Sequence, residues 1–279
     1  MKAEAKCYEC LERLVLQTAG LSTDDEHLRV QAIAAGREVL KEHFSTDAVT
    51  IDIASRFHRV IRQITRNPDP YLEMKEKEIA ISREMSRKIR SQYGDSLIDL
   101  IKFAAVGNGL DFFRPIDEVV EQMKQSVAFL IDDTNLFESR LRSARSILYL
   151  ADNAGEIFFD MPLLNRMRES ARVIYVVKES PVQNDLTMRE IRQTGMEAEA
   201  GEVMTTGTDN PGVMWADASE SFKVEFESAD LIFAKGMGFY EGLTELPPNG
   251  KVFHCLMAKC GAVSRSLGVS MGNYVAFMR

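Results

Sequence analysis

The hydrophobic and polar positions in the first half of the chain follow helical spacing. Leu28, Ala32, Ala35 and Val39 recur at intervals of three or four residues, which places them on one face of an α-helix. The same spacing predicts further helices over residues 53–64, 71–93, 97–105 and 119–130. Residues 1–143 are therefore predicted to form a mainly helical domain.

The pattern changes near Arg145, where short uninterrupted apolar runs replace the helical spacing. Such runs are typical of strands that are buried on both faces of a parallel sheet. They occupy residues 147–150, 173–177, 231–234 and 252–256, with helical stretches over residues 157–168 and 186–193. Strand–helix–strand alternation predicts an α/β domain over residues 144–279, in which a largely parallel, Rossmann-like sheet carries flanking helices.

Composition and charge narrow the classes of protein that fit. Apolar residues make up 45% of the 279-residue chain, which is enough for a buried core. The net charge of −8 argues against a non-specific nucleic-acid-binding protein, which normally has a basic surface. No apolar run approaches the roughly 18 residues of a membrane span, and residues 1–10 lack the apolar core of a signal peptide. We expect a cytoplasmic protein with no membrane or nucleic-acid partner, and the sequence leaves the oligomeric state open.

The four cysteines form two close pairs, Cys7/Cys10 and Cys255/Cys260. Pairs of this kind bind metals or act as redox couples. A joint four-thiolate zinc site is one interpretation. We favour buried or inactive thiols, because the second spacing is loose for zinc and Cys255 lies within a predicted strand. A disulfide scaffold is not expected in a cytosolic chain of this size.

Polar side chains follow each of the four predicted strands. Asp152 and Asn153 follow the first strand, Asp185 the second, Lys235 the third and Lys259 the fourth. Because the carboxyl ends of parallel strands lie at one edge of a sheet, we expect these side chains to line one crevice. Two carboxylates and an amide suit Mg²⁺ or Mn²⁺, and the lysines supply the positive charge that phosphate needs. The pattern thus favours metal-assisted hydrolysis of a phosphate ester.

Each of these motifs also has an interpretation that involves no chemistry. Asp152 and Asn153 suit a turn whose side chains bond to nearby backbone. Asn184 and Asp185 suit the N-terminal cap of the helix that follows them. Glu156 is favourably placed at the N-terminus of a helix. The prediction therefore depends on the coincidence of polar groups at four strand ends.

Other catalytic signatures are absent from the sequence. Lys235 and Gly236 begin a glycine-bearing loop, but it is not a Walker motif, because neither serine nor threonine follows the lysine. Residues 151–156 contain one glycine where a dinucleotide fingerprint has three. There is no Gly-x-Ser-x-Gly nucleophile elbow, and the four histidines show no ligand spacing.

Taken together, the motifs resemble those of a known family. They are Asp152-Asn-Ala-Gly-Glu156, Asn184-Asp-x-Thr187, Lys235-Gly236, Met257-Ala-Lys259, the upstream Asp69-Pro-Tyr71 with Lys75, Gly107-Asn108 with Asp111, and Cys7-x-x-Cys10. This set is similar to the signatures of the metal-dependent damage-control phosphatases, long known as domain of unknown function 89. The cysteine pair is similar to the mark of the family's prokaryotic subfamily. The resemblance spans nearly the whole chain.

The resemblance implies an α/β domain joined to a helical one, and a phosphatase that clears small phosphorylated metabolites such as sugar phosphates or phosphopantetheine-like esters. By motif match, Asp152, Asn153 and Asp185 would bind a divalent metal, with manganese, cobalt or nickel preferred over magnesium. Asp152, Asn153 and Lys259 would be catalytic, with Lys259 contacting the phosphate. The residues implied around the substrate are Asn108, Asp111, Glu156, Asn184, Lys235 and Gly236.

One position departs from the family pattern, because Phe239 stands where an asparagine is usual in the loop after Gly236. We therefore expect the substrate contacts of that loop to differ. Two alternative functions stay open: an S-adenosylmethionine-dependent carboxyl methyltransferase that uses the same crevice, and a non-enzymatic metal or redox sensor that uses the cysteine pairs. It is also open whether Asp152 is a covalent nucleophile or only a metal ligand.

Overall fold

Helices occupy most of the N-terminal half of the molecule. The structure, a computed structural model, describes residues 1–109, 118, 121 and 125–279. Its first five α-helices are α1 (Cys7–Ser22), α2 (Glu26–His43), α3 (Thr50–Thr65), α4 (Leu72–Ile89) and α5 (Leu97–Asn108). The implied substrate residue Asp111 and most of the predicted helix over residues 119–130 lie outside the described residues.

Seven strands form one sheet in the described part of the chain. They are β1 (Phe129–Asp132), β2 (Ser146–Leu150), β3 (Arg172–Val177), β4 (Val203–Thr205), β5 (Leu231–Lys235), β6 (Val252–Met257) and β7 (Tyr274–Met278). Their order across the sheet is β1-β7-β6-β5-β2-β3-β4. Neighbouring strands are parallel except for the β6–β7 pair. The predicted largely parallel α/β sheet is therefore confirmed.

Helices cover both faces of this sheet. After β1, the described residues form the α-helices α6 (Thr134–Leu141), α7 (Ile157–Arg168), α8 (Met188–Thr194), α9 (Glu197–Ala200), α10 (Glu220–Ser228), α11 (Gly236–Leu243) and α12 (Gly261–Leu267). Side chains of a strand point alternately to the two faces. Tyr149 and Phe233 accordingly pack with α5, α6 and α7, whereas Leu148 and Ile232 pack with α10 and α11. Both faces are buried, which explains the continuous apolar runs of the central strands.

The helical half does not form one separate core. Helices α1, α2 and α3 share a cluster of their own, built around residues such as Val15 and Phe57. Helices α4 and α5 instead contribute Ile79 and Phe103 to the main core beneath the sheet. Strand β1 and helix α6 also precede residue 144 and join the sheet layer. The division into domains of residues 1–143 and 144–279 stays a prediction.

The predicted secondary structure fails mainly at short elements. The predicted helix over residues 119–130 is wrong at its C-terminal end, because Phe129 and Leu130 begin β1 and pair with β7. Strands β1, β4 and β7 have three to five residues and partial burial, so they carry no long apolar run. None of the described helices combines the length and apolar character needed to cross a membrane.

Candidate functional site

Two loops at the carboxyl edge of the sheet are held together by their backbones. The loop after β2 carries Asp152 and Asn153, and the loop after β3 carries Asp185. The backbone N–H of Leu186 donates to the carbonyl oxygen of Asp152 at 2.8 Å. Asn153 and Asp185 form an antiparallel bridge between the loops. Because β2 and β3 are neighbours in the sheet, the fold brings the three predicted metal-binding residues together.

The carboxylate of Asp152 is oriented by amide groups. Its Oδ2 accepts hydrogen bonds from Nδ2 of Asn108 at 2.8 Å and from Nδ2 of Asn153 at 3.2 Å. Asn108 is itself fixed, since its Oδ1 accepts from the backbone N–H of Met257 at 3.1 Å. Asn108 is buried at the end of α5. Its position therefore couples α5 and β6 to the direction in which Asp152 points.

Gly236 leaves the space that the Asp152 carboxylate occupies. It follows β5 with φ of 78°, in the left-handed region that favours glycine. A Cβ atom at this position would lie 2.0 Å from Oδ2 of Asp152. Any other residue would displace the carboxylate or the backbone. This close approach explains the glycine of the Lys235-Gly236 motif.

The surroundings of Asp152 and Asp185 oppose their negative charges. Burial raises the pKa of Asp152 well above its usual value, and the nearby carboxylates of Glu156 and Asp185 raise it further. The positive charges of Lys259 and Lys178 act in the opposite direction but do not outweigh these effects. Burial also raises the pKa of Asp185 to about 6, although Lys178 acts in the opposite direction. A divalent cation bound between these carboxylates would favour their ionised forms. The electrostatics thus fit a metal-binding site.

The chemistry of the donor atoms fits the same kind of cation. Carboxylate and amide oxygens are ligands of hard divalent metals. Oδ2 of Asp185 is buried without a hydrogen-bond donor among the described residues, and Nζ of Lys178 lies 3.5 Å from it. Within the described ranges, no group of three or more His, Cys, Asp or Glu residues could hold a metal. A metal ion at this edge would therefore also need the amide oxygen of Asn153.

The alternative interpretations of the motifs have different outcomes. Asn153 and Glu156 form a reciprocal capping box at the short 3₁₀ turn between them, so Asn153 does bond to nearby backbone. This capping is compatible with a metal ligand, because an amide oxygen has two lone pairs. Asn184 and Asp185 do not cap the next helix, which was the alternative for them. Thr187 caps α8 instead.

Glu78 on α4 closes the site from the helical side and was not predicted. Its Oε1 accepts from the backbone N–H of Gly155 at 3.3 Å, and its Oε2 accepts from Nδ2 of Asn184 at 3.1 Å. Burial raises the pKa of Glu78 to about 8, although the hydrogen bond from Asn184 acts to lower it. The only signal in the sequence is spacing, since Glu78 lies three residues after Lys75 and hence on the same face of a helix. The structure buries both side chains fully.

Lys235 lies beneath the site and has no exposed surface. Its Nζ is 2.6 Å from Oε2 of Glu156, 2.7 Å from Oδ1 of Asp160 and 2.8 Å from the carbonyl oxygen of Ala104. Burial alone would lower the pKa of Lys235, but Asp160 and Glu156 outweigh it and raise that pKa. The geometry places Lys235 where it fixes Glu156, which in turn contacts Asn153 and Asn108.

Lys178 is a buried cation beside the predicted metal ligands, and it was not among the predicted site residues. Its ammonium donates to the carbonyl oxygen of Gly212 and lies 3.9 Å from the ring centroid of Phe239. Phe239 is fully buried in the core on that face of the sheet. Phe239 therefore makes a cation–π contact with Lys178, whose Nζ lies 3.5 Å from Oδ2 of Asp185.

A cavity of about 710 Å³ lies between the N-terminal helices and the carboxyl edge of the sheet. Lys259 and Gln183 line it from the sheet side, and the first turns of α1 line it from the helical side. The positive charge of Lys259 acts on the carboxyl groups of both Asp152 and Glu78. Lys259 thus connects the cavity to the carboxylates at the sheet edge.

The cysteines do not form the four-thiolate zinc site that was one interpretation of the sequence. Cys7, Cys10 and Cys260 line the cavity, but Cys255 is buried within β6. Burial raises the pKa of both the Cys7 and the Cys260 thiols, which favours their neutral forms. The joint site fails because strand β6 directs Cys255 into the main core, among the helices beneath the sheet.

Comparison with proteins of known sequence identifies full-length relatives. The chain is 32% identical over 282 residues to a damage-control phosphatase of Pyrococcus horikoshii, covering 99% of this chain and 97% of that one. It is 32% identical over 289 residues to a damage-control phosphatase of Archaeoglobus fulgidus, covering 99% of each. An uncharacterized protein of Methanocaldococcus jannaschii is 33% identical over 293 residues, covering 100% of this chain and 96% of that one.

Comparison with solved structures and with family models agrees with these relatives. The crystal structure of a protein of the domain-of-unknown-function-89 family from Pyrococcus horikoshii superimposes with a TM-score of 0.89 at 30% identity, covering 100% of this chain and 99% of that one. The sequence model of the damage-control phosphatase ARMT1-like domain matches residues 3–275. The chain therefore belongs to the damage-control phosphatase family with the ARMT1-like domain.

Proposed function

We propose that this protein is a metal-dependent phosphatase that hydrolyses phosphate monoesters of small metabolites. Family membership supports phosphatase chemistry, since two relatives at 32% identity are named damage-control phosphatases. The observation that carries the proposal is the bridge between Asn153 and Asp185. It joins Asp152, Asn153 and Asp185 at one sheet edge, beside a cavity that Lys259 lines.

Asp152, Asn153 and Asp185 would hold the divalent cation through their side-chain oxygens. When bound, such a cation polarises a phosphoryl oxygen and lowers the pKa of a water molecule. Manganese, cobalt, nickel and magnesium are the candidates, because each accepts oxygen ligands. Asn108 fixes the direction of Asp152, and the absence of a Cβ at Gly236 keeps the space for its carboxylate.

The remaining residues of the chain act on the substrate or on the metal-binding residues. Lys259 offsets the negative charge that develops on the phosphoryl group, as it lines the cavity next to the carboxylates. Glu156, held by Lys235, positions the amide of Asn153. Asn184 is held by Glu78 and keeps the second loop in place. In this proposal, Glu156, Asn184 and Lys235 are positioning residues.

The cavity sets the scale of the substrate. Its volume of about 710 Å³ lies within the range of sites for small organic ligands. Apolar side chains such as Leu11, Leu14 and Ile51 line it together with the basic Lys6 and Arg13. A phosphate ester with an organic part larger than the phosphoryl group fits this lining, which agrees with sugar phosphates or phosphopantetheine-like esters.

Metal removal and replacement tests the proposal. The protein is stripped with a chelator, supplied with Mn²⁺, Co²⁺, Ni²⁺ or Mg²⁺ in turn, and assayed for phosphate release from sugar phosphates, nucleotides and phosphopantetheine-type esters. We expect no activity without metal, and restored activity with at least one of the four ions. A folded protein that releases no phosphate with any of them contradicts the proposal.

The two alternative functions have no support from the relatives, which are named phosphatases or are uncharacterized. The sensor alternative is tested by the metal content of a cysteine variant. If the cysteines held the metal, a Cys7→Ser/Cys10→Ser variant would lose it. We expect that double variant to keep its bound metal, because those thiols belong to no metal-binding cluster of the described residues.

A further inference from the structure

Gln183 holds an unusual backbone conformation at the wall of the cavity. Its φ of 44° lies in the left-handed region, which non-glycine residues seldom adopt. Among the non-glycine residues of the described ranges, it shares this feature with Arg66. Arg66 is exposed at the end of α3, where a left-handed residue ends a helix. Gln183 instead takes the second position of a turn over residues 182–185, in which the backbone N–H of Asp185 donates to the carbonyl oxygen of Val182 at 3.1 Å.

A chain of hydrogen bonds fixes which way the Gln183 amide points. Oγ1 of Thr18 donates its proton to the carbonyl oxygen of Leu14 at 2.7 Å, so it accepts from its other neighbours. These are the hydroxyl of Tyr71 at 2.9 Å and Nδ1 of His58 at 3.3 Å. Because Nδ1 of His58 carries the proton, its Nε2 accepts from Nε2 of Gln183 at 3.2 Å.

The imidazole of His58 stays neutral at neutral pH and so keeps these hydrogen bonds. Burial lowers the pKa of His58 to about 3, and the charge of Arg62 lowers it as well. A neutral ring with a proton on Nδ1 has one acceptor, Nε2. The amide nitrogen of Gln183 is therefore committed to His58. Oε1 of Gln183 has no hydrogen-bond donor within the described part of the chain, and the residue lines the cavity.

We propose that Gln183 is a specificity-determining residue whose Oε1 accepts a hydrogen bond from a hydroxyl or N–H group of the substrate's organic part. This inference rests on the proposed phosphatase function and names a chemical feature of its substrate. Gln183 is two residues from Asp185 and shares the cavity with Lys259. The substrate group that donates to Gln183 is therefore close to the phosphoryl group of the ester.

The turn and the buried anchor explain why the group is selective. The turn fixes the backbone of Gln183, and the hydrogen bond to His58 fixes its amide nitrogen, so Oε1 is held in one place. A substrate that carries a matching donor gains a hydrogen bond to this fixed acceptor. A substrate that lacks the donor leaves the acceptor unpaired. Since the cavity is open to solvent, water partly replaces a missing donor. We therefore expect a preference of about tenfold.

Two esters and two variants test the inference. A hexose phosphate carries hydroxyl donors, and p-nitrophenyl phosphate carries none on its organic part. The quantity measured is the ratio of kcat/KM for the first ester to that for the second. We expect this ratio to fall about tenfold in Gln183→Gly and in Gln183→Asn, which both tolerate the left-handed φ but do not present Oε1 at the same place.

Thermal unfolding supplies the second readout. Gln183→Gly relieves the left-handed φ but leaves the buried Nε2 of His58 without its hydrogen bond, so its Tm in the metal-free form is expected to fall. Arg66→Gly is the matched control, because it relieves the same kind of φ on the surface, away from the cavity. We expect it to raise Tm and to leave the ratio of the two esters unchanged.

The outcomes separate this inference from the function on which it rests. An unchanged ratio in an active Gln183→Gly variant overturns the role of Gln183 alone, whatever the change in Tm. If the wild-type protein releases phosphate from no ester, neither these two nor the wider panel above, with any of the metals, the proposed function fails and the role of Gln183 fails with it. A fall in the ratio for both Gln183 variants but not for Arg66→Gly supports the inference.

Discussion

The Asp152→Asn variant is expected to lose its metal-dependent phosphatase activity by at least about a thousandfold. In the metal-free form it is also expected to be more stable than the wild type, by about 1–2 kcal/mol. Asparagine keeps an oxygen that can accept from Asn108 and Asn153, so the fold is preserved. It removes a charge that burial, Glu156 and Asp185 all disfavour. Loss of activity with a gain in stability is the signature of a functional residue.

Calorimetric titration of Mn²⁺ and urea unfolding of the metal-free protein check this prediction. Asp95→Asn is the control, because Asp95 is an exposed carboxylate that pairs with Arg90 and is not among the charges that act on Asp152. It should change neither metal affinity nor activity. An Asp152→Asn variant that binds Mn²⁺ as tightly as the wild type would exclude Asp152 as a ligand.

Replacing Lys235 is expected to have the largest effect on stability. In Lys235→Met, the carboxylates of Glu156 and Asp160 stay buried but lose the ammonium that lies 2.6 and 2.7 Å from them. Breaking a buried ion pair by removing one partner costs about 3–5 kcal/mol, since the remaining charge is uncompensated. We expect a fall of that size in the free energy of unfolding at neutral pH.

Urea unfolding measures this loss of stability, and two further variants make the test more specific. Adding Asp160→Asn to Lys235→Met removes one unpaired charge and should recover part of the stability. Lys223→Met is the surface control, because Lys223 pairs with the exposed Glu220 and such pairs contribute less than about 1 kcal/mol. A loss for Lys235→Met as small as that of the control would mean that Lys235 does not hold the network.

The central strands could be predicted from the sequence because both of their faces are buried. The apolar runs around Tyr149, Tyr175 and Phe233 are long enough to be recognised without knowledge of the fold. Strands β1 and β7 could not be found in this way. They pair with each other, and neither has a continuous buried run, since β1 alternates partly buried with exposed residues and β7 has two buried residues. Their stability therefore comes from neighbours that are distant in sequence.

The sequence predicts those residues of the site that directly follow the parallel strands. Asp152, Asn153 and Asp185 meet because the loops after two adjacent parallel strands share one edge. The depth of a side chain cannot be read from such a pattern. Lys235 follows a strand just as Lys259 does, yet Lys235 is fully buried whereas Lys259 lines the cavity.

Contributions from the helical half were harder to predict. Glu78 reaches the site because α4 packs against the turn at Gly155, a contact across a large sequence separation. Lys75, which belongs to the upstream motif, lies 2.8 Å from Asp69 and 2.7 Å from Glu190. Glu190 is part of the cap of α8. The upstream motif thus ties the helices to the loop that carries Asp185.

The most direct test of a metal site at the sheet edge is to locate the ion. Crystals of the metal-free protein soaked in Mn²⁺ would be measured for anomalous scattering near the manganese edge. We expect a peak at coordination distance from the side-chain oxygens of Asp152, Asn153 and Asp185. A peak among the thiols of Cys7, Cys10 and Cys260, with none at the carboxylates, would contradict it.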